Sequence, residues 1–204
     1  DLIDTKNQFY FGKSGVYGQR SSNFIVQSCD LLICIGTRLA IPQIGYEPMD
    51  YARSATLLVV DIDPKELNKL NKRIKYPVLS DAKKFIENIS QVLRDERIKP
   101  KNNKEWLEYC NEMKDKYRPI EKGIHSDVTD KNGKKFINSY AFMHEIQTYL
   151  KDDEVIVTDM GTALLSAHQI LELTGNQRMM TSTGLGEMGY GLPAAIGAAI
   201  ATNK

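Results

Sequence analysis

The chain has 204 residues, enough for one large domain or two small ones around a real buried core. Its 27 basic residues balance 26 acidic ones and 42% of the chain is hydrophobic, so neither a nucleic-acid surface nor a polybasic membrane arm is indicated. Cys29, Cys34 and Cys110 are odd in number and lack metal-ligand spacing, and no apolar run reaches the length of a membrane span. Buried free thiols and a cytoplasmic location are the expectation.

In chain order, residues 21–28 read as a helix and residues 30–36 as a short continuous apolar strand closed by Gly36. A helix is expected at 47–53, a second apolar strand at 57–62, a helix at 64–71, and a shorter strand at 77–79. Residues 81–94 form a further helix, with Ser80 as its N-cap and Phe85, Ile86, Ile89 and Leu93 on its inner face. Apolar runs separated by helical stretches indicate a parallel sheet covered on both faces, a doubly wound α/β architecture.

From Arg94 to Lys135 charges of both signs are interspersed, which reads as a solvated surface. A helix at 103–117 carries Trp106, Leu107, Cys110, Met113 and Tyr117 at amphipathic spacing, and residues 118–135 read as a loop containing Pro119, Gly123 and Gly133. A second α/β unit follows. It has a helix at 138–150 burying Phe142, Met143, Ile146, Tyr149 and Leu150, a strand at 154–158, a helix at 163–173 and a strand at 178–182. Four glycines then fall within positions 184–191, and Pro193 opens an alanine-rich helix packed closely through Ala194, Ala195, Gly197, Ala198 and Ala199. There is no initiator methionine and the chain stops at Lys204 in this helix, so a piece of a longer protein is expected.

Two places suit a phosphorylated ligand. Val157-Thr158-Asp159-Met160-Gly161-Thr162-Ala163 is a strand running into a small-residue turn at a helix start, where free N–H groups and the helix dipole favour an anion; an ordinary strand-to-helix turn would look the same. Gly36 ends a strand beside a crevice, and Asp61, at the end of the next strand, could accept from a ribose hydroxyl. Asp61 and Asp63 could equally cap the helix after Pro64. His125 lies in the loop, and His144 and His168 on helices, with no metal cluster or nucleophilic triad.

Residues 181–198, TSTGLGEMGYGLPAAIGA, resemble the glycine-rich cofactor segment of thiamine diphosphate enzymes of the acetolactate synthase type. The strings Gly15-Val16-Tyr17-Gly18-Gln19-Arg20, Asn23, 29–39 and 60–64 resemble the central domain of the same family. The resemblance implies a partial central domain over 1–95, a charged linker over 96–135, and the first part of the cofactor domain over 136–204. It implies a thiamine diphosphate- and magnesium-dependent decarboxylase or carboligase acting on a 2-keto acid such as pyruvate, with a second keto acid or a keto sugar as acceptor.

By the same resemblance Gly161, Thr162, Gly184, Gly186 and Met188 bind the cofactor. The Gly186 carbonyl accepts from the cofactor's 4′-amino group, and Met188 is the apolar prop beneath its bend; these two are the catalytic candidates. Thr162 and Ala163 stand where many family members carry glutamine or histidine. FAD is a further candidate on Gly36, Arg38 and Asp61, although Leu39-Ala40-Ile41-Pro42-Gln43 replaces the usual aromatic and acidic string. The catalytic glutamate and the magnesium ligands are expected outside this chain, leaving it inactive alone. A homodimer or homotetramer is expected, and no nucleic-acid or membrane partner. A Rossmann-like nucleotide-binding module without catalysis remains the alternative for residues 1–95.

Overall fold

The computed structural model describes residues 3–70, 73–98, 103–121 and 126–203. It divides into two compact units, residues 14–117 and residues 1–13 with 118–204, both mixed α/β with a parallel sheet.

The unit of residues 14–117 runs α1 (Arg20–Ser28), β1 (Leu31–Ile35), a single turn α2 (Ile41–Ile44), a 3-10 turn (Pro48–Asp50), β2 (Thr56–Asp61), α3 (Pro64–Lys69), β3 (Tyr76–Leu79), α4 (Ala82–Asp95) and α5 (Lys104–Lys116). The sheet order is β1-β2-β3, all parallel, with Ile33 opposite Leu58 and Val60 opposite Val78. Parallel neighbours need a crossover, and the sequence supplies a helical stretch after each apolar run. Leu57 and Val60 on the central strand are fully buried, and Cys34, Leu39, Ala52 and Leu67 join them. The Asn23 side chain accepts from the Gly15 amide at 2.8 Å and donates to the Gly15 carbonyl at 3.0 Å, fixing the entry to α1.

Helix α5 lies in the segment expected as a linker, but it packs on α1. Phe24 stacks on Tyr117 with ring centroids 4.7 Å apart, the Ser28 and Tyr109 hydroxyls are 2.7 Å apart, and Cys110 and Met113 are buried. The apolar face of the helix, not its charge, decides where it belongs, and the compact unit ends at Tyr117 rather than near residue 95.

The other unit contains a hairpin of β4 (Val128–Thr129) and β5 (Lys135–Phe136), then α6 (Ser139–Gln147), β6 (Val155–Val157), α7 (Thr162–Ile170), β7 (Arg178–Met180) and α8 (Gly191–Thr202). Strands β6 and β7 pair in parallel, with Ile156 opposite Met179. Ala167, Leu171 and Leu173 form the core, with Met143, Leu150, Ile156 and Met179 packed against it. Residues 1–13 belong here because the Thr5 amide and hydroxyl both donate to the Leu173 carbonyl, at 3.2 and 3.0 Å. Among the described residues no helix is long and apolar enough to cross a membrane.

Several expectations are corrected. Residues 47–53 are not a helix: Tyr51 is extended and Ala52 has φ 46°, because the core draws both side chains inward. Residues 118–135 are not all loop, since the hairpin occupies 128–136 around a turn in which Asp130 Oδ1 accepts from the Asn132 and Lys134 amides. The α4 N-cap is Asp81, whose carboxylate accepts from the Lys84 amide at 3.0 Å, and not Ser80. Of the four residues expected on the inner face of α4 only Phe85 is half-buried, while Ile86, Ile89 and Leu93 are exposed. Helix α6 ends at Gln147, and of the five residues expected to be buried over 138–150, Met143 and Leu150 pack inward, while Phe142, Ile146 and Tyr149 are exposed. Helix α8 is mostly uncovered too, with Ala195 and Gly197 exposed.

Candidate functional site

The β-branched strand β6 ends at Val157, and the chain turns through Thr158, Asp159, Met160 and Gly161 into α7. Gly161 is the N-cap, with φ 88°, a conformation glycine reaches without a Cβ penalty. It contributes no side-chain cap, and a Cβ there would meet nothing within 4 Å. The start of α7 thus carries dipole and amide donors with open space in front of the turn. Thr162 and Ala163, in its first turn, are exposed.

The loop after β7 returns to this turn. Asp159 Oδ1 accepts from its neighbour Met160 N at 2.7 Å, and both carboxylate oxygens accept from Gly189 N, at 3.0 Å (Oδ1) and 2.8 Å (Oδ2). These backbone donors, Met160 first, hold the Asp159 carboxyl below its ordinary 3.8. Gly191 passes so close that a Cβ would lie 3.0 Å from the Asp159 Cβ and backbone nitrogen, a contact to which the neighbouring backbone would have to yield. A Cβ on Gly186 would sit 3.5 Å from the Met160 methyl. The loop is tightened internally by Gly186 N donating to Ser182 O at 2.7 Å and by a Ser182 hydroxyl–Glu187 carboxylate bond. Gly184 is exposed, and Met188 is 91% exposed, so its side chain fills no core within this chain.

Gly161, Thr162, Gly184, Gly186 and Met188 lie in one unit, where the loop is tied to the turn at Asp159. Gly36, Arg38 and Asp61 are gathered elsewhere, in the unit of residues 14–117. There they line an open cavity of about 420 Å³ at the C-terminal ends of the strands, together with Asp63, Glu66 and Asp81.

Two family models match the chain: thiamine pyrophosphate enzyme, central domain, over residues 1–89, and thiamine pyrophosphate enzyme, C-terminal TPP binding domain, over residues 159–204. The chain belongs to the thiamine pyrophosphate enzymes. It is 31% identical over 199 residues to the acetolactate synthase isozyme 2 large subunit of Escherichia coli, covering 98% of this chain and 33% of that protein. It is 33% identical over 193 residues to a probable acetolactate synthase large subunit of Methanocaldococcus jannaschii, covering 93% and 31%. With the Lactococcus lactis acetolactate synthase large subunit the identity is 28%, covering 98% and 32%. The chain spans about a third of the length of these curated relatives.

For a thiamine pyrophosphate enzyme the C-terminal match begins at Asp159, the residue that ties the turn to the loop. The residues present fit the cofactor: an uncapped helix start for an anion, and beside it a glycine loop whose backbone is open to approach.

They do not fit FAD. The Arg38 guanidinium is bound to Glu66 at 3.0 Å, and Lys69 is bound to Glu66 and, at 2.6 Å, to the Arg38 carbonyl. The Lys69 hydrogen bond comes first among the causes that hold the Glu66 carboxyl below its usual range. Asp61 Oδ1 accepts from Asp63 N at 2.9 Å, and Asp63 caps α3 through Lys65 N at 2.8 Å. One arginine, already paired, faces four carboxylates in that cavity, a poor host for a dinucleotide's phosphates.

Asp159, Met160 and Gly191 were not singled out as site residues by sequence. The signal was an acid just past a strand and two positions before a glycine, but its partner lies thirty residues on. His144 on α6 is exposed and His168 on α7 half-buried, while Gly123 and His125 lie outside the described residues. Among the described residues no cluster of three His, Cys, Asp or Glu could hold a metal ion.

Proposed function

We propose that this chain forms part of a thiamine diphosphate- and magnesium-dependent decarboxylase or carboligase acting on a 2-keto acid such as pyruvate. The observation that carries the reading is the convergence of the Gly161 turn and the 184–191 loop on Asp159. When bound, the cofactor supplies an electron sink for carbon–carbon bond cleavage beside the keto carbon. The chain's own part is binding and orientation. The α7 start, through Gly161 and Thr162, receives the diphosphate. The Gly186 carbonyl accepts from the 4′-amino group, Gly184 lets the loop approach, and Met188, presenting its whole side chain, supports the bend from below.

Magnesium takes its ligands from outside this chain in this proposal. The acceptor is a second keto acid or a keto sugar. The protein acts as a homodimer or homotetramer in the cytoplasm in this proposal. FAD has no part in it. A nucleotide-binding module without catalysis is disfavoured by the acidic lining of the first unit's cavity.

Met188 tests the reading. If shape is its contribution, Met188→Leu, of similar volume, keeps activity. Met188→Ala leaves the ring unsupported and lowers kcat by about tenfold or more, with a smaller loss of cofactor affinity, since the diphosphate supplies most of the binding. Proton–deuterium exchange at the cofactor C2 is the direct readout. Equal exchange in Met188→Ala and the parent would overturn the assignment of this loop.

A further inference from the structure

The loop that presents Gly186 and Met188 has little apolar packing to hold it. Gly184, Leu185, Glu187, Met188 and Gly189 are all exposed, so burial contributes little to its conformation. Its fixed point is polar. Asp159 receives the Gly189 amide on both carboxylate oxygens, while Oδ1 also holds the Met160 amide one residue before Gly161. Hydrogen bonds to an ionised acceptor are the stronger kind. On the far side of Gly189, Gly191 begins α8 so close to Asp159 that an added Cβ would lie 3.0 Å from its backbone nitrogen, so the loop's exit lies against the same residue.

A carboxylate two residues from a diphosphate-binding turn would repel its ligand if it faced it. Here its oxygens are turned to backbone donors.

We propose that Asp159 is a positioning residue. It latches the 184–191 loop to the turn at Gly161 and so sets the distance between the elements that hold the two ends of the cofactor. The proposal rests on the thiamine diphosphate reading for its consequence, though not for its geometry. It also explains why position 191 is glycine: a Cβ would push the loop's exit away from the latch. The latch is local to one unit and needs no other chain.

The test uses the full-length protein and three variants. Asp159→Ala removes the acceptor. Asp159→Asn keeps a carbonyl oxygen for Met160 and Gly189 but puts an NH₂ donor where Oδ2 lies 2.8 Å from Gly189 N, so it restores the latch only in part. Gly191→Ala attacks from the loop side and stands in if an Asp159 variant fails to fold.

Without cofactor, the Gly189 amide should exchange with solvent about tenfold or more faster in Asp159→Ala than in the parent, with Asp159→Asn between them. With thiamine diphosphate and magnesium, exchange at the cofactor C2 should slow in the same order, by roughly tenfold in Asp159→Ala, and Gly191→Ala should behave like Asp159→Ala. Equal Gly189 exchange in the parent and Asp159→Ala overturns the latch. Lost Gly189 protection with unchanged C2 exchange overturns the positioning role and leaves Asp159 a structural bond. A parent that protects Gly189 yet binds no thiamine diphosphate sinks the functional reading instead, so the two failures are told apart.

Discussion

Burial on β1 pushes the Cys34 thiol up to about 11, and the Cys29 thiol nearby adds to the shift. The ordinary value is 9.0, so the folded state favours the neutral thiol. Below pH 9.0 folded and unfolded chains are both protonated there, and the contribution to stability is complete. Above it the unfolded chain ionises first, and stability falls until the folded thiol ionises too. The urea midpoint of the parent should therefore drop between about pH 9 and about pH 11, and drop less in Cys34→Ser, which does not ionise. Parallel pH profiles for the two would refute it. The buried thiol was legible because Cys34 sits inside an unbroken apolar run, a property of its immediate neighbours. Asp159 was not, because its meaning depends on Gly189 and Gly191, and no local pattern records which amide a carboxylate will meet.

Strands and helices with strong periodicity were legible to within a few residues. The run at 30–36 became Leu31–Ile35, the run at 57–62 became Thr56–Asp61, and the amphipathic face of 103–117 became the buried side of α5. Elements too short to carry a pattern were missed. The β4–β5 hairpin has two exposed residues per strand, so no alternation announces it, and only its Asp130-to-Gly133 turn hinted at it. Cap assignment failed by one residue at α4. Both Ser80 and Asp81 are good capping types, and backbone direction decides between them: Asp81 Oδ1 reaches the Lys84 amide, while the Ser80 hydroxyl donates to the Asp81 carbonyl. Asp81→Ala should thus cost about 1 kcal/mol of unfolding free energy, and Ser80→Ala no more than about 0.5 kcal/mol. Equal losses in denaturant titrations would mean that the cap is shared. The uncovered apolar faces of α4, α6 and α8 could not have been foreseen, because periodicity shows which side of a helix is apolar and not what lies against it.

At the scale of the whole molecule the sequence drew the edges of two α/β units by composition, and contacts divide the chain at other places. The charged stretch was expected to be one linker. Its helix instead buries Cys110 and Met113 with the first unit, and its hairpin stands in the second. Limited trypsin digestion should therefore spare α5 and cut first within 119–135, where Lys131 and Lys134 are exposed beside a two-residue ladder. The Arg118–Pro119 bond is not a trypsin site, so the first cut leaves residues 1–13 on the N-terminal piece. Those residues are part of the second unit. Thr5 donates twice to the Leu173 carbonyl, and the Lys13 ammonium donates to the His168 carbonyl near the end of α7 at 3.1 Å. The nicked chain should accordingly elute from gel filtration as one species and part only in denaturant. Early cleavage inside 30–63 would place the boundary wrongly, and fragments that separate without denaturant would show that residues 1–13 do not hold the second unit.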